Sequence, residues 1–243
     1  MHAVIGTAGW SIARKDAAAF PGERTALERY ARRFDGVEVN SSFHRPHRAS
    51  TWARWAASVP DGFRFSVKIP KTITHLGKLR DLDPLTAFAE DIAPLGAKLA
   101  VLLVQLPPKL AFEADVAERF FYTLRQAIDA DIVCEPRNPS WFEDEANGML
   151  ERLRIGRVAA DPAPVEAAAQ PGGWRDLPYW RLHGSPAMYR SSYSDAQIDR
   201  YAQQISGAVA QGLRPWCVFD NTAASAATGN ALSLLERLGA DVA

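Results

Sequence analysis

The chain has 243 residues, with 28 Lys and Arg against 28 Asp and Glu, so its formal net charge is zero. A composition that is 47% hydrophobic and 23% charged belongs to a globular chain, and the charge balance argues against a nucleic-acid coat or a polybasic membrane binder. Two cysteines, Cys134 and Cys217, are too few for a disulfide framework, and the longest strongly apolar run, Leu99 to Leu106, falls far short of the ~20 residues that cross a bilayer. The N-terminal stretch lacks the long apolar core of a signal peptide, so a cytoplasmic protein with no membrane partner is expected.

In chain order, the first apolar, β-rich run is Val4–Gly9. Thr25-Ala-Leu-Glu28 is a capping box opening a helix toward Phe34, and Val37–Asn40 is the second strand. Trp52, Trp55 and Ala56 share one face of a second helix, before the strand Phe63–Ile69. Asp83 and Pro84 read as N-cap and first turn of a third helix, with Leu85, Phe88, Ala89, Ile92 and Leu95 on its inner stripe, and Leu99–Leu106 follows as the fourth strand. Val116, Phe120, Leu124, Ala127 and Ile128 form another helical face ahead of the strand Ile132–Glu135. Val158–Asp161 and Tyr179–His183 are the next strands; the short interval between them contains Pro171-Gly172-Gly173 and leaves little or no helix. Ser194-Asp-Ala-Gln197 is a second capping box, with Ile198, Tyr201, Ala202, Ile205 and Val209 inward and Gly212 as a stop. Trp216–Phe219 is the eighth strand, and a last helix runs from about Ala223 to Leu238.

Strand starts recur at roughly 30-residue spacing, the length of a strand, a crossover helix and two loops. Eight such units predict an α/β fold, a (β/α)8 barrel of the TIM type in one domain over residues 1–243, with a weak or missing sixth helix. An open doubly wound sheet is the rival, but Gly6-Thr7-Ala8-Gly9 has the wrong spacing for its dinucleotide fingerprint.

Strands of a parallel barrel are covered on both faces and should be apolar throughout. Here Glu38 and Asn40, Ser66 and Lys68, Glu135 and Arg137, and Arg181 and His183 interrupt them, while Gln105, Asp161, Asp220 and Asn221 end others. The pairs fall at i and i+2, so each shares one strand face, and they lie toward the carboxyl end, where barrel enzymes build their sites. A chemically idle polar layer, with Glu38 on Arg181 and Glu135 on Lys68 or Arg137, is the alternative for any single residue. Loops after these strands add Arg45, His75, Trp141, Gly184, Tyr189 and Tyr193.

The segments GTAGW at 6–10, VEVNSSFHR at 37–45, FSVKIPKTITH at 65–75, LLVQLPP at 102–108, EPRNPSW at 135–141, YWRLHG at 179–184 and VFDN at 218–221 resemble, in order, the YecE-like family, domain of unknown function 72. The resemblance implies a TIM-like fold and brings no reaction with it. It implies that Glu38, Asn40, Arg45, Lys68, His75, Gln105, Glu135, Arg137, Trp141, Arg181, His183, Gly184 and Asn221 belong to family motifs. Three positions depart from the pattern: Ala8 stands where Ser is usual, His44 where many members have Tyr, and Asp220 where the last strand often carries Asn. An amide at 220 is therefore not required here, and a carboxylate is added.

Carboxylates among cations suit metal-independent acid–base chemistry, because one can stay ionised while another is held protonated. Glu38, Lys68, Glu135 and His183 are the catalytic candidates. Asn40, Arg45, His75, Gln105, Arg137, Trp141, Arg181, Gly184, Tyr189 and Asn221 are candidates for binding a small, anionic or sugar-like ligand. No cofactor is expected. A divalent metal ringed by Glu38, Glu135, Asp161 and His183 is an alternative, opposed by the cations Lys68, Arg137 and Arg181 in the same mouth. A non-catalytic nucleotide, sugar or nucleic-acid-end binder is another. Cys134 lies one residue before Glu135 and faces the opposite side, there is no GxSxG elbow, and Lys68 has the residue type and strand position of an imine-forming lysine.

Overall fold

A computed structural model describes residues 2–240. Its strands are β1 (Val4–Thr7), β2 (Gly36–Val39), β3 (Arg64–Lys68), β4 (Leu99–Gln105), β5 (Asp131–Glu135), β6 (Ile155–Arg157), β7 (Ala159–Asp161), β8 (Gly172–Gly173), β9 (Tyr179–Leu182) and β10 (Trp216–Phe219). The α-helices are α1 (Ala26–Tyr30), α2 (Ala49–Ala57), α3 (Pro84–Ile92), α4 (Ala114–Ala127), α5 (Asp144–Arg152), α6 (Asp195–Ala210) and α7 (Ala227–Ala240). The fold is mixed α/β with parallel sheets. One sheet runs β1-β10-β9-β7 and the other β2-β3-β4-β5-β6-β8, parallel throughout except for the antiparallel β6–β8 pair.

Among the described residues no continuous ladder joins the two sheets, but the chain links them on both sides. At one seam Ala8 bridges Glu38 in parallel, and the Gly9 N–H donates to the Glu38 carbonyl at 2.8 Å. Gly6 is needed there, because a Cβ would collide with the carbonyl of Gly36. At the other seam one run of chain changes sheet at Val158. The Val158 N–H donates to Cys134 of β5 at 2.9 Å, and the next three residues pair with β9.

Strand parity divides the buried residues into two sets. Outward-facing residues such as Phe65, Leu102, Cys134, Trp180 and Cys217 pack under the helices with Trp52, Phe88, Phe120, Leu124, Ile205 and Leu234. Val4, Val101, Leu103, Val133, Tyr179, Trp216 and Val218 make a second, smaller apolar cluster. Ser66, Lys68, Gln105, Glu135, Arg181, His183 and Asp220 lie on the same strand faces as that cluster, nearer the carboxyl ends. The apolar cluster is thus a plug beneath a polar layer.

Each of the eight expected strands is present, with the sixth starting earlier, at Ile155, and split into β6 and β7. The interval from β7 to β9 contains a 3-10 turn, Glu166–Ala169, and β8, but no α-helix. The capping box at Thr25 forms as expected, with the Thr25 N–H donating to Glu28 Oε2 at 3.0 Å, although α1 stops at Tyr30 and the chain reaches Phe34 by single turns. Asp83 does not cap α3, since its own backbone is already helical and its side chain makes no cap bond. Helix α7 begins at Ala227 rather than Ala223, because Ser225 holds φ at +56° in a turn closed by its N–H on Thr222. Helix α5 was not anticipated; its signals are Asp144 and Glu145 in the first turn and buried Ala146, Met149 and Leu150. Among the described residues no helix is long and apolar enough to cross a membrane.

Candidate active site at the carboxyl ends of the parallel strands

Arg181 is the hub of the polar layer. Its Nε and Nη2 donate to the two oxygens of Glu38 at 2.9 and 2.7 Å, its Nη1 to Glu135 Oε2 at 2.5 Å, and its Nη2 also to Asp220 Oδ2 at 2.9 Å. Arg181, Glu38 and Glu135 are fully buried, and Asp220 nearly so. The Tyr179 hydroxyl, two residues back on the same strand face, lies 3.2 Å from Glu38 Oε2 and 3.0 Å from Ser66 Oγ. A planar guanidinium suits this place because its fixed fork meets a carboxylate in two parallel bonds.

His183 stands beside this hub, also fully buried. Its Nδ1 is 3.0 Å from Asp220 Oδ2, and its Nε2 is 2.9 Å from Glu135 Oε1 and 3.0 Å from Arg137 Nη2. Arg137 Nη2 also donates to Glu135 Oε1 at 2.5 Å. Two proton arrangements satisfy this geometry. An imidazolium donates to both carboxylates, whereas a neutral ring protonated on Nδ1 donates to Asp220 and accepts the Arg137 N–H at Nε2. Moving one proton at Nε2 exchanges Glu135 for Arg137 as its partner, which is what a proton shuttle needs.

Burial pushes the Glu135 carboxyl up, but the charges of Arg181, then Arg137 and His183, overcome it and hold the group well below the usual range. Asp220 is likewise raised by burial and lowered further by Arg181 and His183. Burial opposes the Arg181 charge, but Glu135, Glu38 and Asp220 hold its proton more tightly than usual. Carboxyls lowered in the folded state stabilise it fully above their unfolded values, and that contribution is lost as pH falls through the folded values. Stability is therefore expected to be flat in this respect from neutral pH down to about pH 4 and then to drop. A pH series of thermal melts checks this. The acid drop should shrink in Glu135→Gln, and an unchanged acid limb in that variant would refute the assignment.

Lys68 differs from its neighbours. Its side chain is nearly buried at the end of β3, yet among the described residues its amine has no hydrogen-bond or ion-pair partner; it rests 4.1 Å above the centroid of the Phe43 ring. Burial and the Arg181 charge pull its pKa down to about 8, against the opposing pull of Glu38, Glu135 and Asp220. Phe43 also meets the His75 ring edge-on at 4.9 Å. His75 Nδ1 lies 2.9 Å from Thr74 Oγ1, and burial and the Lys68 charge lower its pKa.

The structure brings Glu38, Lys68, Glu135, Arg137, Arg181 and His183 to this layer, and the rim holds half-buried Asn40, His75 and Gln105. Among the described residues Asn40 Oδ1 is buried without a partner, and Gln105 makes only a long 3.4 Å bond to the Leu106 carbonyl. Tyr189 is 41% exposed, with its ring edge-on to His183 at 5.5 Å. It holds φ at +65°, its N–H donates to the His183 carbonyl and its carbonyl accepts from Ala223. The side chain thus roofs the histidine.

Other candidates are placed differently. Glu38 is not free for acid–base work, because both of its oxygens are taken by Arg181 and Tyr179. Trp141 is buried core, with its ring edge-on to Phe112 and its Nε1 donating to Leu110 at 3.0 Å, so no face is left for a ligand. Arg45 is exposed and lines a separate cavity of about 230 Å³ with Phe43, His47, Trp52 and Phe88. Gly184 and Asn221 shape the loop over the site. Gly184 holds φ at +92°, and a Cβ there would sit 2.8 Å from the Ser191 carbonyl. Asn221 Nδ2 donates to Ser191 O and to Asn230 Oδ1, both at 2.9 Å. Asp161 accepts from Tyr201 at 2.9 Å and stays outside the cluster, so Glu38, Glu135, Asp161 and His183 form no ring. Among the described residues no group of three or more His, Cys, Asp or Glu is arranged to hold a metal ion. Cys134 and Cys217 are buried, and burial raises both thiols.

Two site members escaped sequence reading. Tyr179 passed for an apolar strand residue, though its position two before Arg181 puts it on the same face. Asp220 counts in the sequence as a polar strand end and a departure from a motif but not as a site candidate, although a carboxylate two residues beyond inward-facing Val218 marks it.

Solved structures share the fold. A DUF72 family protein of Enterococcus faecalis V583 matches with a TM-score of 0.80 at 21% identity, over 97% of this chain and 95% of that one. A DUF72 family protein of Thermotoga maritima MSB8 matches with a TM-score of 0.75 at 22% identity, over 98% and 100%. In sequence, UPF0759 protein YecE of Escherichia coli K12 is 32% identical over 151 residues, 59% of this chain and 55% of YecE. UPF0759 protein YunF of Bacillus subtilis 168 is 27% identical over 147 residues, 57% of this chain and 51% of YunF. The chain thus matches about half the length of these curated relatives. The family model described as protein of unknown function DUF72 matches residues 4–243, from the first strand through the last helix, and the chain belongs to that family.

Proposed function

We propose that the two sheets are halves of one eight-stranded TIM-type barrel and that its carboxyl-end mouth performs metal-independent acid–base chemistry on a small polar substrate bearing a phosphate or carboxylate. The seams at Ala8–Glu38 and Val158 support the closure, since each carries the chain or a bridge from one sheet to the other. The observation that carries the chemistry is His183, held between Asp220 and Glu135 with Arg137 on the same ring nitrogen as Glu135.

Each group then has a role. Arg137, whose side chain is 11% exposed, and Lys68 are the cations at the surface of the cluster and hold the anionic group. His183 and Glu135 exchange the proton. Asp220, Arg181 and Glu38 keep the imidazole and Glu135 in place, and Tyr189 shields them from water. Three carboxylates, Glu38, Glu135 and Asp220, face three basic side chains, Lys68, Arg137 and Arg181. Of the carboxylates that would serve a divalent metal, Glu38 and Glu135 are instead engaged by arginine and Asp161 by Tyr201.

The test is a thermal-shift screen with inorganic phosphate and small phosphorylated and carboxylated metabolites, followed by a search for turnover of each hit. Anions should raise the Tm, Arg137→Gln should weaken their binding tenfold or more, and His183→Asn should lower kcat by about 10²–10⁴. A protein indifferent to every anion contradicts the proposal. Binding without turnover, undiminished in Glu135→Gln, makes this a binding protein instead.

A further inference from the structure

We infer that Lys68 is a covalent nucleophile, its amine condensing with the carbonyl carbon of a small anionic aldehyde or ketone to form an imine at the mouth of the site. The inference rests on the acid–base reading above and names the substrate class.

The argument starts from what the amine lacks. A lysine kept for stability in a carboxylate-rich layer would pair with one of the acids. Here both oxygens of Glu38, both of Glu135 and Oδ2 of Asp220 are taken by Arg181, Arg137, His183 and Tyr179. Lys68, the last residue of β3, is left on the face of Phe43. The chain's five other lysines behave ordinarily. Lys15, Lys71, Lys78 and Lys109 are exposed, and Lys98 donates to the carbonyls of Ala56 and Val59 at 2.8 and 2.7 Å. With its pKa near 8, Lys68 carries a free electron pair in about one molecule in ten at pH 7, far more than an ordinary lysine. Removing an ammonium's water shell without supplying a partner is a recognised way to make a nucleophilic lysine.

The step balances without a co-reactant. The nitrogen lone pair attacks the carbonyl carbon, forming the C–N bond as the C=O π pair moves to oxygen. Loss of one N–H proton to a neighbouring base and its delivery to the oxygen give a carbinolamine whose nitrogen again has a lone pair; that pair forms C=N and expels the hydroxyl, which takes up the second N–H proton. Both amine hydrogens leave with the oxygen as water. The nearby carboxylate- and imidazole-bearing residues carry the protons between atoms, and Arg137 holds the substrate's anionic end.

The protein is incubated with glyoxylate or pyruvate, reduced with sodium cyanoborohydride, and mapped by peptide mass spectrometry. The expected result is a reduced adduct on Lys68 at least tenfold above Lys15, Lys71, Lys78 and Lys109, rising between pH 7 and 9 and suppressed by inorganic phosphate. In Lys68→Arg, which keeps the charge but forms no imine, labelling of the remaining lysines should be unchanged. Labelling that merely follows exposure, with Lys68 at or below the surface lysines, overturns the inference. If wild-type protein still answers phosphate with a raised Tm, that outcome overturns the imine alone; if it does not, the acid–base reading falls with it.

Discussion

Replacing Arg181 by Met is expected to cost about 3–5 kcal/mol of stability, because it leaves buried charges with no counter-ion. The side chain makes four hydrogen bonds to Glu38, Glu135 and Asp220, which come from three other strands or strand ends. Without it, each carboxylate must take up a proton or draw water into the layer. Urea denaturation at pH 7 measures the loss, and thermal melts should show a lowered Tm. Arg181→Lys restores a charge but not the fork, so it should fall between Met and wild type. Adding Glu38→Gln to Arg181→Met removes one orphaned charge and should recover part of the stability. A Met variant as stable as wild type would mean that the layer tolerates its acids unpaired.

Lys68→Met is expected to act in the opposite direction, stabilising the protein at pH 7 by about 1–2 kcal/mol. The sign follows from the pKa, which falls from 10.5 to about 8 on folding. Between those values the unfolded chain binds a proton that the folded protein lacks, so wild-type stability rises with pH across that window. Below pH 8 the whole cost of the buried ammonium is present, and above about 10.5 it vanishes. The advantage of Met should therefore be largest near neutrality and fade with rising pH. It is reduced by loss of the Lys68–Phe43 contact, worth about 0.5–2 kcal/mol. Denaturation curves at pH 7 and pH 10 test the prediction. The same variant should lose its response to anions and its trapping by glyoxylate. A residue whose removal stabilises the fold while abolishing binding is one retained for function. A destabilised Lys68→Met variant would instead assign Lys68 to the architecture.

Much of the site was legible because strand periodicity is local. Glu135 and Arg137, or Arg181 and His183, lie two residues apart, and any strand conformation sends such pairs to one face. The helical crossovers between strands then imply that this face is the inner one. Other parts were not legible for identifiable reasons. Trp141 sits in a loop, and whether a loop tryptophan faces ligand or core depends on what Phe112 and Leu110 bring to it from 30 residues away. Gly184 and Asn221 looked like ligand contacts because they flank the mouth, but they hold the chain from Gly184 to Tyr193 in place. Glu38 reads from sequence either as a free acid or as the partner of Arg181, and only the packed layer decides for the pair.

Local spacing, through the alternation of side chains along extended backbone and the 3.6-residue turn of a helix, therefore dictated the order of strands and crossovers and the face on which the charges lie. The choice of partner came from the register between strands. Arg181 meets Glu38 across 143 residues, Glu135 across 46 and Asp220 across 39. Those contacts form only when β9 lies beside β10 and the two sheets face their plugged interior. Once the arginines have taken the acids, Lys68 is left over. Its isolation is a property of the packed layer, where competition for a few buried oxygens is settled by geometry that no segment of the chain contains alone.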